Sequence, residues 1–150
     1  MSKSPPDALI PEDAMSPEST RGGESSRHHF VNLVTRYFEA VDAKDVDGTL
    51  ACFNDDAILI VQTDHRRYEG KSAIREMFVG LYEDTDEMTH RVVNWVVDPA
   101  ANACATEQIY RGKLKDGSLY DMHNCNFFEF RGGKFQRVTI FLSGASPLRS

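Results

Sequence analysis

Residues 90–142 read almost continuously as strand, cut three times by strong turn signals, and this block most restricts what the chain can fold into. The segments 90–97, 103–111, 118–131 and 134–142 are rich in β-branched and aromatic residues. They are separated by Asp98 with Pro99, Asp116 with Gly117, and Gly132 with Gly133, which are pairs that favour tight turns. Links this short join antiparallel neighbours, because a parallel crossover needs a dozen residues or more. The block is therefore predicted as a four-stranded antiparallel meander.

Upstream of it the period changes. Phe30, Leu33, Val34, Tyr37, Phe38 and Val41 fall at the spacing of one buried helical face, with Ser25 or Ser26 as cap. Asp45 caps a second, short helix that carries Val46, Leu50 and Phe53 on one side. Residues 57–61 form a short β-branched run bounded by Asn54, Asp55 and Asp56. Residues 64–67 are a polar turn leading to Tyr68. After Gly70, a third helix is predicted from Ile74, Met77, Phe78 and Leu81. Helices grouped ahead of an antiparallel sheet indicate an α+β fold rather than alternating βαβ units.

Residues 1–26 are rich in Pro, Ser, Glu and Gly and hold few large apolar side chains. They are predicted as a disordered tail, since they bury too little to offset the entropy of ordering. One domain is expected over residues 27–145, with 146–150 as a C-terminal tail. A chain of 150 residues is long enough for a core without staples.

Charge and cysteine usage exclude several classes. The net charge is −6 with no run of Lys and Arg, which argues against nucleic acid. Cys52, Cys104 and Cys125 are odd in number and form no CxxC, so they read as small buried hydrophobes in a reducing compartment. No apolar run is long enough to span a membrane, and no signal-peptide pattern appears. A cytoplasmic protein is expected. The histidines, His28, His29, His65, His90 and His123, lack ligand-pair spacing. Gly22 and Gly23 precede no phosphate loop. Neither a metal nor a cofactor is expected.

The stretch VTRYFEAVDAKDVDGTLACFNDDAILIV, followed by YEGKSAIREMF and later YDMHNCNFFEFRGGKFQRV, resembles the nuclear-transport-factor-2-like superfamily, in particular its ketosteroid-isomerase and SnoaL-type domains. The resemblance covers residues 30–143. It implies a curved antiparallel sheet wrapped as a cone around the N-terminal helices, with an apolar pocket at the wide end that takes a small apolar molecule. It does not imply one function, because the fold hosts isomerases, cyclases, dehydratases, epoxide hydrolases and association domains.

Candidate site residues are the polar ones that strand and helix periods aim inward. Tyr37 lies on the apolar stripe of the first helix. By resemblance it matches the tyrosine with which ketosteroid isomerases hold an enolate oxygen. On the strand 118–131, Tyr120, Met122, Asn124, Asn126, Phe128 and Phe130 share a face, and the aromatic pair makes that face the inner one. Asn126 then falls where those isomerases carry a protonated Asp, and an amide donates a similar hydrogen bond at any pH. Cys104, Thr106 and Gln108 alternate on the preceding strand and are aimed inward by the resemblance. Val61, Asn124, Phe128 and Phe130 are expected to line the ligand.

The position that holds the isomerases' catalytic Asp is Val61 here, followed by Gln62, and neither is a base. Asp121 and His123 sit at i and i+2 on the opposite face of their strand. They enter the pocket as an acid–base couple only if the register slips by one residue. His90, at the start of a strand, is read as a capping or structural residue with a possible place in the site.

Two readings stay open: an isomerase, cyclase or lyase acting on a hydrophobic oxygen-bearing metabolite, and a non-catalytic ligand-binding or self-association module. Trp95 or its neighbours, together with Phe127, on the exposed face of the meander are expected to form a homodimer interface.

Overall fold

The computed structural model describes residues 17–148. Three helices, α1 (Pro17–Asp42), α2 (Val46–Leu50) and α3 (Lys71–Asp84), pack on a sheet of six strands. The strands are β1 (Phe53–Val61), β2 (Arg66–Glu69), β3 (Thr85–Asp98), β4 (Ala103–Leu114), β5 (Leu119–Arg131) and β6 (Lys134–Phe141). The sheet order is β2-β1-β6-β5-β4-β3, curved and unclosed. The architecture is α+β.

The meander forms as its turn residues require. Gly117, Gly132 and Gly133 all take positive φ, the left-handed region that costs glycine nothing. One pairing departs from the antiparallel expectation, since β1 runs parallel to β6, with Leu59 opposite Val138 and Val61 opposite Ile140. The two strands are joined through α3 and the whole meander, so no tight turn forces them antiparallel.

Of residues 64–67, predicted as a turn, Arg66 and Arg67 instead open β2, which pairs Tyr68 with Leu59. Helix α1 begins at Pro17, so Ser25 and Ser26 lie within it and do not cap it. Proline suits a first helical turn, where its missing N–H would be unpaired anyway. The predicted disordered tail lies mostly outside the described residues, and its final part, 17–26, is helical.

The core is aromatic. All six apolar residues of the α1 stripe are buried. The Tyr37 ring meets Phe53, Phe78, Phe128 and Phe135 edge-on, with centroids 5.3–6.2 Å apart. Phe30 stacks on Phe130 at 3.9 Å. Truncating one such ring to alanine costs about 3–5 kcal/mol.

On β5 the predicted inner face is correct: Met122, Asn124, Asn126, Phe128 and Phe130 are buried, whereas Asp121, His123, Phe127 and Glu129 are exposed. On β3 a bulge between Val92 and Asn94 inverts the alternation. Val93 and Val96 therefore face out, and Trp95 turns in against the core. Of Trp95 and its neighbours, it is thus Val96 and not Trp95 that lies on the exposed face with Phe127.

Candidate functional site

The end of α1 is tied to the start of β3. Lys44 takes a left-handed conformation (φ 56°), and the Asp45 N–H closes back on the Ala40 carbonyl at 2.9 Å, which is a Schellman-type stop. The Lys44 ammonium donates to the carbonyls of Thr85 (2.9 Å) and Asp86 (3.2 Å). The last residue of α1, Asp42, is thereby held against His90 of β3. Its carboxylate accepts the His90 backbone N–H at 2.8 Å and pairs with ring Nδ1 at 2.6 Å.

An ionised carboxylate only accepts hydrogen bonds, so Nδ1 carries a proton in this pair, and Nε2 is the ring nitrogen that Asp42 does not engage. The imidazole is clamped between Phe38, stacked at 4.9 Å, and Tyr110, tilted at 4.9 Å. His90 is therefore mid-strand and oriented by Asp42; it does not cap a strand.

His90 lines a cavity of about 80 Å³ between α1, α3 and the inner face of the sheet. Apolar side chains, including Phe38, Val61, Met77 and Met122, make most of its wall. The amides of Gln108, Asn124 and Asn126 break that wall. Thr106 donates to Gln108 Oε1 (2.7 Å), and Gln108 Nε2 donates to Asn126 Oδ1 (3.0 Å). This chain fixes the sense of both amides and leaves the Asn126 NH2 as its free end, in the cavity wall. Asn124 also lines the cavity, and its Oδ1 accepts from the Ser143 N–H at 3.0 Å.

Tyr37 lines the cavity and bonds to no other described residue. Burial holds its phenol well above its ordinary pKa, with the nearby Tyr82, Cys52 and Asp42 adding to the effect. Tyr110 is 4% exposed, and its hydroxyl has no partner among the described residues. Its pKa is pushed up to about 12, first by burial and then by Tyr120 and Asp42. Both phenols stay protonated at neutral pH, so each keeps an O–H available to donate.

The structure brings Tyr37, Gln108, Asn126, Asn124, Val61 and His90 together around one cavity. Phe128 and Phe130, predicted to line the ligand, do not. They lie on the inner face but deeper, where Phe128 packs on Tyr37 and Phe135 and Phe130 on Phe30. Asp121 and His123 do not form a couple. They face outward and pair across strands with Arg111 (3.6 Å) and Glu107 (2.6 Å) respectively. The slipped register that would turn them inward is ruled out by the pairing of β4 with β5.

Asp42 and Tyr110 were missed. Asp42 had one signal, a carboxylate in the last turn of a helix, where the dipole disfavours negative charge. Tyr110 continues the Thr106 and Gln108 alternation by one more step. Residues 146–148, predicted as part of a tail, include the buried Pro147 and form part of the cavity wall. Among the described residues no three His, Cys, Asp or Glu side chains gather to hold a metal, and no helix is long and apolar enough to cross a membrane.

Several solved structures share the fold. A candidate aromatic ring hydroxylase from Novosphingobium aromaticivorans superposes with a TM-score of 0.71 at 22% identity, over 81% of this chain and 91% of that one. A candidate polyketide cyclase from Xanthomonas campestris gives 0.69 at 21%, over 77% and 91%. An LEH-like epoxide hydrolase from M. tuberculosis gives 0.68 at 15%, over 77% and 84%. No curated protein matches the chain by sequence. The SnoaL-like domain profile matches residues 34–138, which is most of the chain and nearly all of the sheet and cavity described above, so the protein belongs to the SnoaL-like domain family, within the nuclear-transport-factor-2-like superfamily.

Proposed function

We propose that the cavity is the active site of an isomerase- or cyclase-type enzyme that moves a proton on a small, neutral, oxygen-bearing molecule. The observation that carries this reading is the Asp42–His90 pair, which places an oriented imidazole in the wall of a mostly apolar cavity. It supplies the base that Val61 cannot. Nε2 takes a proton from the carbon next to a carbonyl, and the electron pair moves onto the carbonyl oxygen. The Asn126 amide and the Tyr37 phenol donate to that oxygen. Fixed donors in a dry site stabilise a forming oxyanion by several kcal/mol. Where the substrate carries a carbon–carbon double bond conjugated with that enolate, the imidazolium returns the proton to the far end of the dienolate, the carbonyl re-forms and the double bond has moved. Alternatively the enolate carbon bonds to a second carbonyl carbon of the same molecule, whose C=O π pair becomes an alkoxide that takes the proton back from the imidazolium, which forms a ring. Polyketide cyclases and epoxide hydrolases among the similar folds are in keeping with chemistry of this class.

The test is loss of α-proton signal from a panel of small ketones in D2O, followed by NMR. Wild-type protein is expected to catalyse exchange, and His90→Gln to abolish it with the fold intact. Exchange that survives His90→Gln would sink the assignment.

A homodimer is proposed alongside. Phe127 (49% exposed) and Phe141 (41%) meet edge-on at 5.9 Å on the outer face of the sheet, near Val96 at 63%. Clustered exposed apolar groups of this kind are a common mark of an interface. Sedimentation should give a dimer that Phe127→Glu dissociates; a monomeric wild type counts against it. The free thiols of Cys52, Cys104 and Cys125 are in keeping with a reducing, cytoplasmic location.

A further inference from the structure

At about 80 Å³ the cavity holds two or three waters, whereas a benzene-sized guest occupies a cavity of roughly 150 Å³. A ring-bearing ligand is therefore fully buried there only if a wall moves. Most of the wall is built from hydrogen-bonded strand or helix. The exception is the segment after β6. Its start is fastened: the Leu142 N–H donates to Thr63 Oγ1 (2.7 Å), the His123 N–H donates to Ser143 Oγ (2.8 Å), and the Ser143 N–H donates to Asn124 Oδ1 (3.0 Å).

Beyond Ser143 the fastening stops. Among the described residues, 144–148 make no hydrogen bond to the rest of the protein. Their one bond is local, from the Leu148 N–H to Ser146 Oγ at 3.1 Å. Gly144 lies over Met122. Pro147 is buried, and Leu148 is packed on the core. Apolar contact alone keeps this stretch over the cavity, and segments held in that way open at low cost.

We infer that residues 143–148 are a displaceable strap that decides which molecules the cavity takes. The strap gives way to a flat, ring-bearing apolar ligand whose ring replaces Pro147 and Leu148 and whose oxygen reaches Asn126 and Tyr37. This rests on reading the cavity as a ligand site. Asn124 couples the two parts, since it lines the cavity while its Oδ1 holds the Ser143 N–H. A ligand oxygen or N–H that engages the Asn124 amide competes with that latch. Ligand binding and strap opening are then linked, and whatever loosens the strap tightens binding.

Thr63 and Ser143 fasten the strap but do not line the cavity, so substituting them reports on the strap and not on ligand contact. In full-length protein carrying Met122→Cys, labelling of position 122 by N-ethylmaleimide, read by peptide mass spectrometry, measures opening without ligand. Ser143→Ala should speed labelling roughly fivefold, the effect of one ordinary hydrogen bond on the open population, and Thr63→Ala, which loses two bonds to Leu142, at least as much. On the Met122 background, the same two variants should lower the dissociation constant of 2-naphthol, a fluorescent two-ring alcohol, by a similar factor.

Labelling rates unchanged in both variants overturn the strap, whatever 2-naphthol does. Accelerated labelling with no binding of 2-naphthol overturns its role as a ligand entrance. Neither readout involves His90, so failure of the proton-exchange assay alone leaves this inference standing.

Discussion

Asp42 accepts two hydrogen bonds from a single residue, His90, one from its backbone N–H at 2.8 Å and one from ring Nδ1 at 2.6 Å. The first bond positions the strand and the second sets the tautomer. An Asn at position 42 keeps one acceptor and turns a donor toward the other site, so both bonds cannot persist. Asp42→Asn is expected to lose the Nδ1–H preference of His90, seen in long-range proton–nitrogen spectra, and to slow proton exchange about 10²–10⁴-fold. A His90 tautomer unchanged by this variant would show that Asp42 does not orient the ring.

The amide chain makes a stability prediction. Asn126→Leu leaves Gln108 Nε2 without its acceptor at a residue 1% exposed, which should cost about 1–3 kcal/mol. Replacing the whole chain at once, with Thr106→Val, Gln108→Leu and Asn126→Leu, removes the unpaired groups and should recover most of that loss. Urea unfolding measures both. A triple variant no more stable than Asn126→Leu would mean that packing, not polar satisfaction, dominates there.

Tyr110 carries the reverse expectation. Its hydroxyl is buried without a partner among the described residues, so Tyr110→Phe should raise stability by about 1 kcal/mol at pH 8. The alkaline limb should change as well. The folded pKa, about 12, lies above the ordinary tyrosine value of 10.0. The contribution is therefore fully present below pH 10 and is lost as pH rises toward 12, because only the unfolded chain releases its proton in that window. Two units correspond to about 2–3 kcal/mol. Denaturant unfolding at pH 8 and pH 11 should show a shallower alkaline decline in the variant. An equal decline in both proteins would place the alkaline sensitivity on Tyr37 or Tyr82, whose pKa values are also raised by burial.

Gly112 accommodates that same ring. A Cβ there would stand 2.3 Å from the Tyr110 hydroxyl oxygen and 2.7 Å from its Cζ, so Gly112→Ala has to displace the ring that flanks His90. A loss of about 1–3 kcal/mol is expected, with partial rescue by Tyr110→Leu in the double variant. Thermal unfolding of the two single variants and the double variant checks the coupling, and additive losses would refute it.

Most of the secondary structure was legible because it is set by neighbours in sequence. Helical spacing picked out the buried face of α1, and Gly and Asp in the turns marked the meander. The pleat's period of two picked the inner face of β5 and brought Asn124 and Asn126 to the right wall. Strand β2 was not legible, because four residues of Arg66–Glu69 carry no alternation long enough to read and exist as a strand only by pairing with β1. The choice between Trp95 and its neighbours stayed open because a bulge inverts parity without leaving a mark in composition.

The chemistry of the cavity came from long-range contacts. Asp42 and His90 are 48 positions apart, and they meet because Lys44 ties the end of α1 to the start of β3. Face was predicted correctly for Phe128 and Phe130 but depth was not, since a pleat says which side a residue faces and nothing about how far the core has filled beneath it. The strap shows the same division most plainly. Local sequence at 146–150 is that of a polar tail, and only the folding of β6 beside β5 carries Pro147 and Leu148 across the cavity, where burial against the core gives them a role that no local pattern encodes.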